Sequence, residues 1–64
     1  MTIRMHYDQA TDAAYLRFSA STVVESEEVA PGVVLDYDSD GRMVGMEVLD
    51  ARRHLPADAL AAAE

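Results

Sequence analysis

The chain has 64 residues, half of them hydrophobic, and no cysteine, so we expect a single domain over residues 1–64 without disulfides or thiolate metal ligands. A core of this size seldom supplies more than about 3–5 kcal/mol, which makes association with another chain an expected source of stability. Twelve acidic against five basic side chains give a formal charge of −7, and this charge argues against nucleic-acid binding by the domain alone and against anionic membranes.

The first half of the chain predicts three strands, because its apolar residues recur with period two. Residues 3–7 alternate apolar and polar side chains, and residues 8–12 are rich in turn formers. Residues 13–18 form a second strand, with Leu16 and Phe18 on one face and Tyr15 on the other. The segment from Val23 to Val29 starts apolar and becomes acidic, which is typical of an edge strand that charge protects from further pairing.

Two more strands follow, separated by strong turn signals. Pro31-Gly32 fits the centre of a type II turn, and residues 33–37 then alternate again. Residues 38–41, Asp-Ser-Asp-Gly, predict a hairpin turn before the last strand at residues 44–49. Turns this short cannot hold a crossover helix, so the strands must be mainly antiparallel. We therefore predict a mainly β fold, α+β at the margin: an antiparallel meander of about five short strands with a short C-terminal helical segment.

The end of the chain changes from strand to helix. Asp50 is expected to cap a short helical turn over residues 51–55, and Pro56 suits the first position of a second helix. Residues 57–64 are rich in alanine, a strong helix former. Leu55 and Leu60 are the only large apolar side chains that could anchor this part. We expect a packed first turn and a frayed helical tail over residues 57–64.

Four acidic residues have the spacing of an EF-hand calcium loop, namely Asp36, Asp38, Asp40 followed by glycine, and Glu47. An EF-hand also needs a helix on each side of the loop. Here Pro31-Gly32 leaves no room for an entering helix, and both flanks alternate as strands do. We interpret the segment as a hairpin with solvated acids and predict no metal site. A Ca²⁺-binding loop at residues 36–47 remains a disfavoured alternative.

The sequence carries none of the common catalytic motifs. It has no nucleophile elbow, no glycine-rich phosphate loop and no lysine for a Schiff base. His6 and His54 lie near opposite ends, and only Asp50 stands four residues from His54. The aspartates lie in turn-rich segments, whereas acid–base catalysis needs a carboxyl group buried in a cleft. We therefore expect that the protein is not an enzyme and uses no cofactor.

The remaining expectations concern location and partners. No apolar run approaches the ~20 residues of a membrane span, and the N-terminus has no signal region, so we expect a cytoplasmic protein. One short helix cannot cover a five-stranded sheet, and a second subunit, most simply in a two-fold dimer, is expected to bury the other face. The candidate interface residues are Tyr15, Leu35 and Tyr37. The acidic charge also suits a small basic protein as partner.

Several short segments together resemble a bacterial and archaeal family known as domain of unknown function 2283. The matching segments are Tyr7-Asp8, Asp12 to Leu16, Glu25 to Val29, Gly32 to Asp38, Asp40 to Arg42, and Val44 to Ala51. The resemblance implies a small β-rich domain with a terminal helical segment and no established activity. Some members resemble the second component of toxin–antitoxin-like pairs. We therefore expect a non-catalytic, self-associating interaction domain of unknown cellular role, with an antitoxin-like subunit that neutralises a small basic protein as the alternative.

Overall fold

The structure is a computed structural model that describes residues 3–63. It contains a single five-stranded sheet followed by two short helices. The strands are β1 (Arg4–Asp8), β2 (Ala13–Arg17), β3 (Glu25–Ala30), β4 (Val33–Tyr37) and β5 (Met43–Leu49), and the helices are α1 (Ala51–His54) and α2 (Ala57–Ala61). No helix within residues 3–63 is long and apolar enough to cross a membrane.

All neighbouring strands are antiparallel, and their order across the sheet is β1-β2-β5-β4-β3. The predicted five-stranded antiparallel sheet and the C-terminal helical segment are confirmed. The order differs from the simple meander, because β5 lies between β2 and β4 and the chain crosses to the far edge through residues 18–24. This order has a physical reason: it places β5, which contains three buried residues, at the centre and β3, which is exposed along its whole length, at an edge.

The two faces of the sheet differ in what covers them. On the helix face, the buried residues Ala14, Val48 and Ala51 form the core, and six half-buried side chains pack against them: Met5, Tyr7, Leu16, Met46, Leu55 and Leu60. The helices therefore cover the β1-β2-β5 half of this face. Val44 is the largest fully buried side chain among residues 3–63, so the core is small even for a short chain. The opposite face, here called the open face, carries no helix of residues 3–63.

The junction between β5 and α1 is capped by a residue from another part of the chain. Asp50 occupies the N-cap position of α1 as predicted, in a left-handed conformation with φ of 51°, but its side chain makes no capping hydrogen bond. Asp12, in the β1–β2 turn, takes that role: its carbonyl accepts the N–H of Ala51 at 2.9 Å and its carboxylate accepts the N–H of Arg52 at 3.2 Å. A side-chain oxygen is thus supplied to an unpaired N–H of the first helical turn.

Candidate functional site

A chain of hydrogen bonds crosses the open face and joins three strands. Asp36 of β4 is buried, at 9% exposure, and accepts hydrogen bonds from two hydroxyl groups. The Ser26 hydroxyl on β3 donates to Oδ1 at 2.6 Å, and the Tyr15 hydroxyl on β2 donates to Oδ2 at 2.9 Å. Both carboxylate oxygens of a buried acid are therefore satisfied, as burial of a charged group requires.

Gly45 of β5 makes this network possible. It lies directly opposite both Arg17 on β2 and Asp36 on β4, and the Tyr15 side chain reaches Asp36 by crossing over it. A Cβ at Gly45 would overlap the Tyr15 hydroxyl oxygen and would lie 2.9 Å from Cζ of the same ring. Sequence reasoning missed this network, although a glycine inside a strand pattern marks a close approach of another group.

Arg17 is the cation nearest to this network. Its guanidinium donates to the Tyr15 hydroxyl at 3.3 Å and to the Ser21 carbonyl at 2.8 Å. Burial is the largest cause that raises the pKa of Tyr15 above its usual value of 10.0, so this hydroxyl stays protonated and acts as a donor at neutral pH. No buried side-chain N or O atom of residues 3–63 lacks a hydrogen-bond partner. The buried polar atoms of the network are therefore paired within the chain itself.

The predicted hairpin accounts for the calcium-like spacing. Asp36 lies in β4 and Glu47 in β5, while the carboxylate of Asp38 accepts the backbone N–H groups of Asp40 and Arg42 at 2.9 Å and 3.0 Å. Side chains that would have to converge on one ion are thus distributed between the open face and the turn. Within residues 3–63, no group of three or more acidic or histidine side chains could hold a metal ion.

A second polar cluster lies at the end of the sheet where α1 begins. The Tyr7 hydroxyl donates to the Asp12 carboxylate at 2.7 Å, and Nε of Arg52 lies 3.9 Å from the same oxygen. The hydrogen bond to Asp12 is the largest cause that raises the pKa of Tyr7. Nδ1 of His54 lies 3.1 Å from the carbonyl oxygen of Leu49. These contacts attach the β1–β2 turn and the helical segment to the sheet.

The three candidate interface residues do not share one surface. Tyr15 lies on the open face within the hydrogen-bond network. Leu35 lies directly opposite Met46, a residue of the helix face, and Tyr37, two residues further along β4, shares that face. The open face around Tyr15 is also polar, since Tyr15 lies directly opposite His6 and Glu47 and its hydroxyl contacts Asp36 and Arg17. The three residues therefore lie on different faces of the sheet, and their role in an interface stays a prediction.

The two edge strands carry the most distinctive exposed chemistry. β3 is exposed along all six residues and includes three glutamates, Glu25, Glu27 and Glu28. β1, at the other edge, has the sequence Arg-Met-His-Tyr-Asp and alternates exposed with half-buried side chains. Edge strands present N–H and C=O groups that no neighbouring strand pairs. The two edges differ in charge, since β3 carries three carboxylates and no cation, whereas β1 carries one guanidinium group and one carboxylate.

Comparison with known proteins gives a family match over most of the chain. The family described as Protein of unknown function (DUF2283) matches residues 4–52, which confirms the resemblance seen in the sequence. Neither the curated proteins nor the solved structures contain a significant match. The matched region includes all five strands, the network on the open face and the Asp12 cap.

Proposed function

Because this chain belongs to the DUF2283 family, whose description names no activity, we propose a function from its own surfaces. The protein is a non-catalytic interaction domain, and the β3 edge is its binding surface for a basic strand of a partner protein. The observation that carries the proposal is a six-residue edge strand in which every residue is exposed and three are glutamates.

The β3 edge offers both hydrogen bonds and charge. In an antiparallel ladder, alternate residues direct their N–H and C=O groups away from the neighbouring strand, so an added strand can hydrogen-bond to β3. Within residues 3–63, the side chains of Glu25 and Glu27 make no hydrogen bond or ion pair, whereas the Glu28 carboxylate accepts the Gly32 N–H at 3.3 Å. A hollow of about 320 Å³ lies beside this edge and is lined by Glu25, Ser26, Glu27, Tyr37 and Gly41.

The glutamates make the edge selective. Like charges that face each other across paired strands are destabilising, and opposite charges contribute about 0.2–1 kcal/mol per pair. A second copy of β3 would therefore be repelled, while a strand that carries lysine or arginine would be attracted. The exposed side chains of Val24 and Val29, at 64% and 49% exposure, supply apolar contacts at either end. A neutralising subunit for a small basic protein is the antitoxin-like form of this proposal.

The complete polar network on the open face supports a non-catalytic role. Asp36 is the one buried acid among residues 3–63, and both of its oxygens already accept hydroxyl groups of the same chain. A general acid or base must instead hydrogen-bond to the substrate. The small core supports dependence on a partner, since Val44 is the largest fully buried side chain in the described region.

The test is an NMR titration of ¹⁵N-labelled protein with a peptide as long as β3 in which lysine and valine alternate. We expect shifts in the β3 amides that weaken with salt, and no such shifts with the same peptide methylated on its backbone nitrogens. Glu27→Lys should abolish the binding, whereas Asp40→Lys, an equal charge change in the exposed β4–β5 turn, should retain most of it. Shifts spread over all acidic residues, or equal loss in both variants, would show nonspecific attraction and refute the proposal.

A further inference from the structure

The other edge of the sheet has a sequence that complements itself. We propose that β1 pairs antiparallel with β1 of a second copy, around a two-fold axis at His6, and joins two five-stranded sheets into one continuous sheet. This interface is distinct from the β3 edge and involves none of its residues.

Charge and polarity match when β1 is laid against itself in this register. Arg4 of one copy lies opposite Asp8 of the second copy, and the reciprocal pair forms at the other end. Met5 lies opposite Tyr7 twice, and His6 faces its counterpart on the axis. All five residues of β1 are thereby paired, and no like-charged carboxylates or guanidinium groups face each other.

The faces of the two sheets match as well. A two-fold axis perpendicular to the sheet keeps each face on its own side. Arg4, His6 and Asp8 are exposed, whereas Met5 and Tyr7 are half-buried and pack against the core on the helix face. Charged pairs therefore meet on the open face, and the Met5–Tyr7 pairs extend the apolar helix face across the interface. In this register an odd-numbered residue faces an odd-numbered residue, and an even-numbered residue faces an even-numbered one. Residues that direct their backbone N–H and C=O groups outward therefore face each other and can exchange hydrogen bonds in pairs.

The Arg4–Asp8 pairing also suits the surroundings of each side chain. Arg4 lies directly opposite Arg17 on the neighbouring strand, so the Asp8 carboxylate of a second copy would meet a locally basic end of the edge. The Asp8 carboxylate accepts the Ala10 N–H at 2.9 Å through Oδ1, and a carboxylate has a second oxygen for a bidentate or shared contact with arginine.

A second copy fits this edge better than the other arrangements that two copies could adopt. Two β3 edges would bring glutamates together. A β3 edge against a β1 edge would leave one free edge of each kind and so continue into a polymer. The β1–β1 arrangement is closed, because the same surface on both copies is consumed. It leaves the two β3 edges at the outer ends of the joined sheet.

The test uses charge substitutions that prevent self-pairing but complement each other. Light scattering of the unmodified protein should show a mass that rises with concentration toward twice 7.0 kDa. Arg4→Asp places carboxylates opposite each other, and Asp8→Arg places guanidinium groups opposite each other, so each variant alone should remain at 7.0 kDa. An equimolar mixture of the two variants should form a one-to-one heterodimer, because the opposite charges then face each other at both ends.

Two controls separate this interface from a general charge effect. Arg42→Asp and Asp40→Arg make the same charge changes at exposed positions of the β4–β5 turn and should dimerise as the unmodified protein does. Circular dichroism of each variant checks that the sheet is retained. A monomer at every concentration, a dimer that survives both β1 variants, species larger than two copies, or a mixture that stays monomeric while both variants are folded would each overturn the proposal.

Discussion

Replacing Gly45 with alanine tests whether the Tyr15–Asp36 hydrogen bond holds the central strands together. A Cβ at this position would overlap the Tyr15 hydroxyl oxygen and would lie 2.9 Å from Cζ and 3.1 Å from the Leu16 carbonyl oxygen. The backbone oxygen cannot move without distorting β2, so the tyrosine ring must move. Its hydroxyl then leaves Asp36, a buried carboxylate that retains only Ser26 as a donor.

The size of the effect follows from two opposing contributions. A hydrogen bond to a charged group contributes about 1.5–3 kcal/mol to stability. Alanine is favoured over glycine inside a strand by about 0.5–1 kcal/mol. We therefore expect Gly45→Ala to lower the free energy of unfolding by about 1–2 kcal/mol. In a domain of this size each kcal/mol shifts the thermal midpoint by about 4–8 °C.

Urea unfolding followed by circular dichroism measures this change, and a double-mutant cycle assigns it. In a Tyr15→Phe background the hydroxyl is already absent, so Gly45→Ala should cost less there than in the unmodified protein, with a coupling of about 0.5–3 kcal/mol. The residual cost reflects the ring carbon and the Leu16 oxygen. An alanine variant as stable as the unmodified protein, or one with equal costs in both backgrounds, would refute this account of the network.

Three further predictions concern the turn, calcium and pH. Gly41 has φ of 77°, and apart from its chain neighbours no atom of residues 3–63 lies within 4 Å of the position that a Cβ would take there. Gly41→Val should therefore cost about 1–2 kcal/mol of backbone strain in urea melts. An equal effect of Ser39→Ala would contradict this. Calcium at ~1 mM, the weak end of EF-hand affinities, should leave the thermal midpoint of unfolding unchanged. The reason is that the Asp38 carboxylate already accepts two N–H groups of the turn. A rise of the thermal midpoint with calcium that Asp38→Ala abolishes would contradict the hairpin interpretation. Since burial raises the pKa of Tyr15 above 10.0 in the folded state, its contribution to stability is fully present below that pH and is lost as the pH rises past the raised pKa. Alkaline titration of unfolding should therefore be less steep for Tyr15→Phe, and identical slopes would contradict the shift.

The strands could be predicted from the sequence because their alternation is local. Residues 33–37 and 44–49 alternate on both sides of a turn, and the structure places β4 and β5 there. The positive φ angles of Gly32 and Gly41, at 80° and 77°, agree with the predicted turns. The acidic edge strand was also predictable, because glutamates at consecutive positions suit a strand with solvent on both faces.

The strand order and the polar network depend on contacts between distant residues. Alternation shows which residues share a face, but it does not show that β2 pairs with β5 across a separation of about thirty residues in the chain. The same limit applies to the helix cap, where Asp12 lies forty residues from Arg52. Asp50 stands at the expected place in the sequence, but its left-handed conformation leaves the capping role to an aspartate brought close by the fold.

The two edges differ in charge pattern, and this difference underlies the separate roles that we propose for them. Self-pairing of β3 brings glutamate against glutamate, whereas self-pairing of β1 brings Arg4 against Asp8. Charge therefore opposes one kind of dimer and favours the other, although both edges offer equivalent backbone groups. It follows that Glu27→Lys should impair binding of the basic peptide and leave the dimer intact, while Arg4→Asp should do the reverse. If either substitution impaired both properties, the edges would not act independently, and the net charge of the chain would explain the association better than the register of either strand.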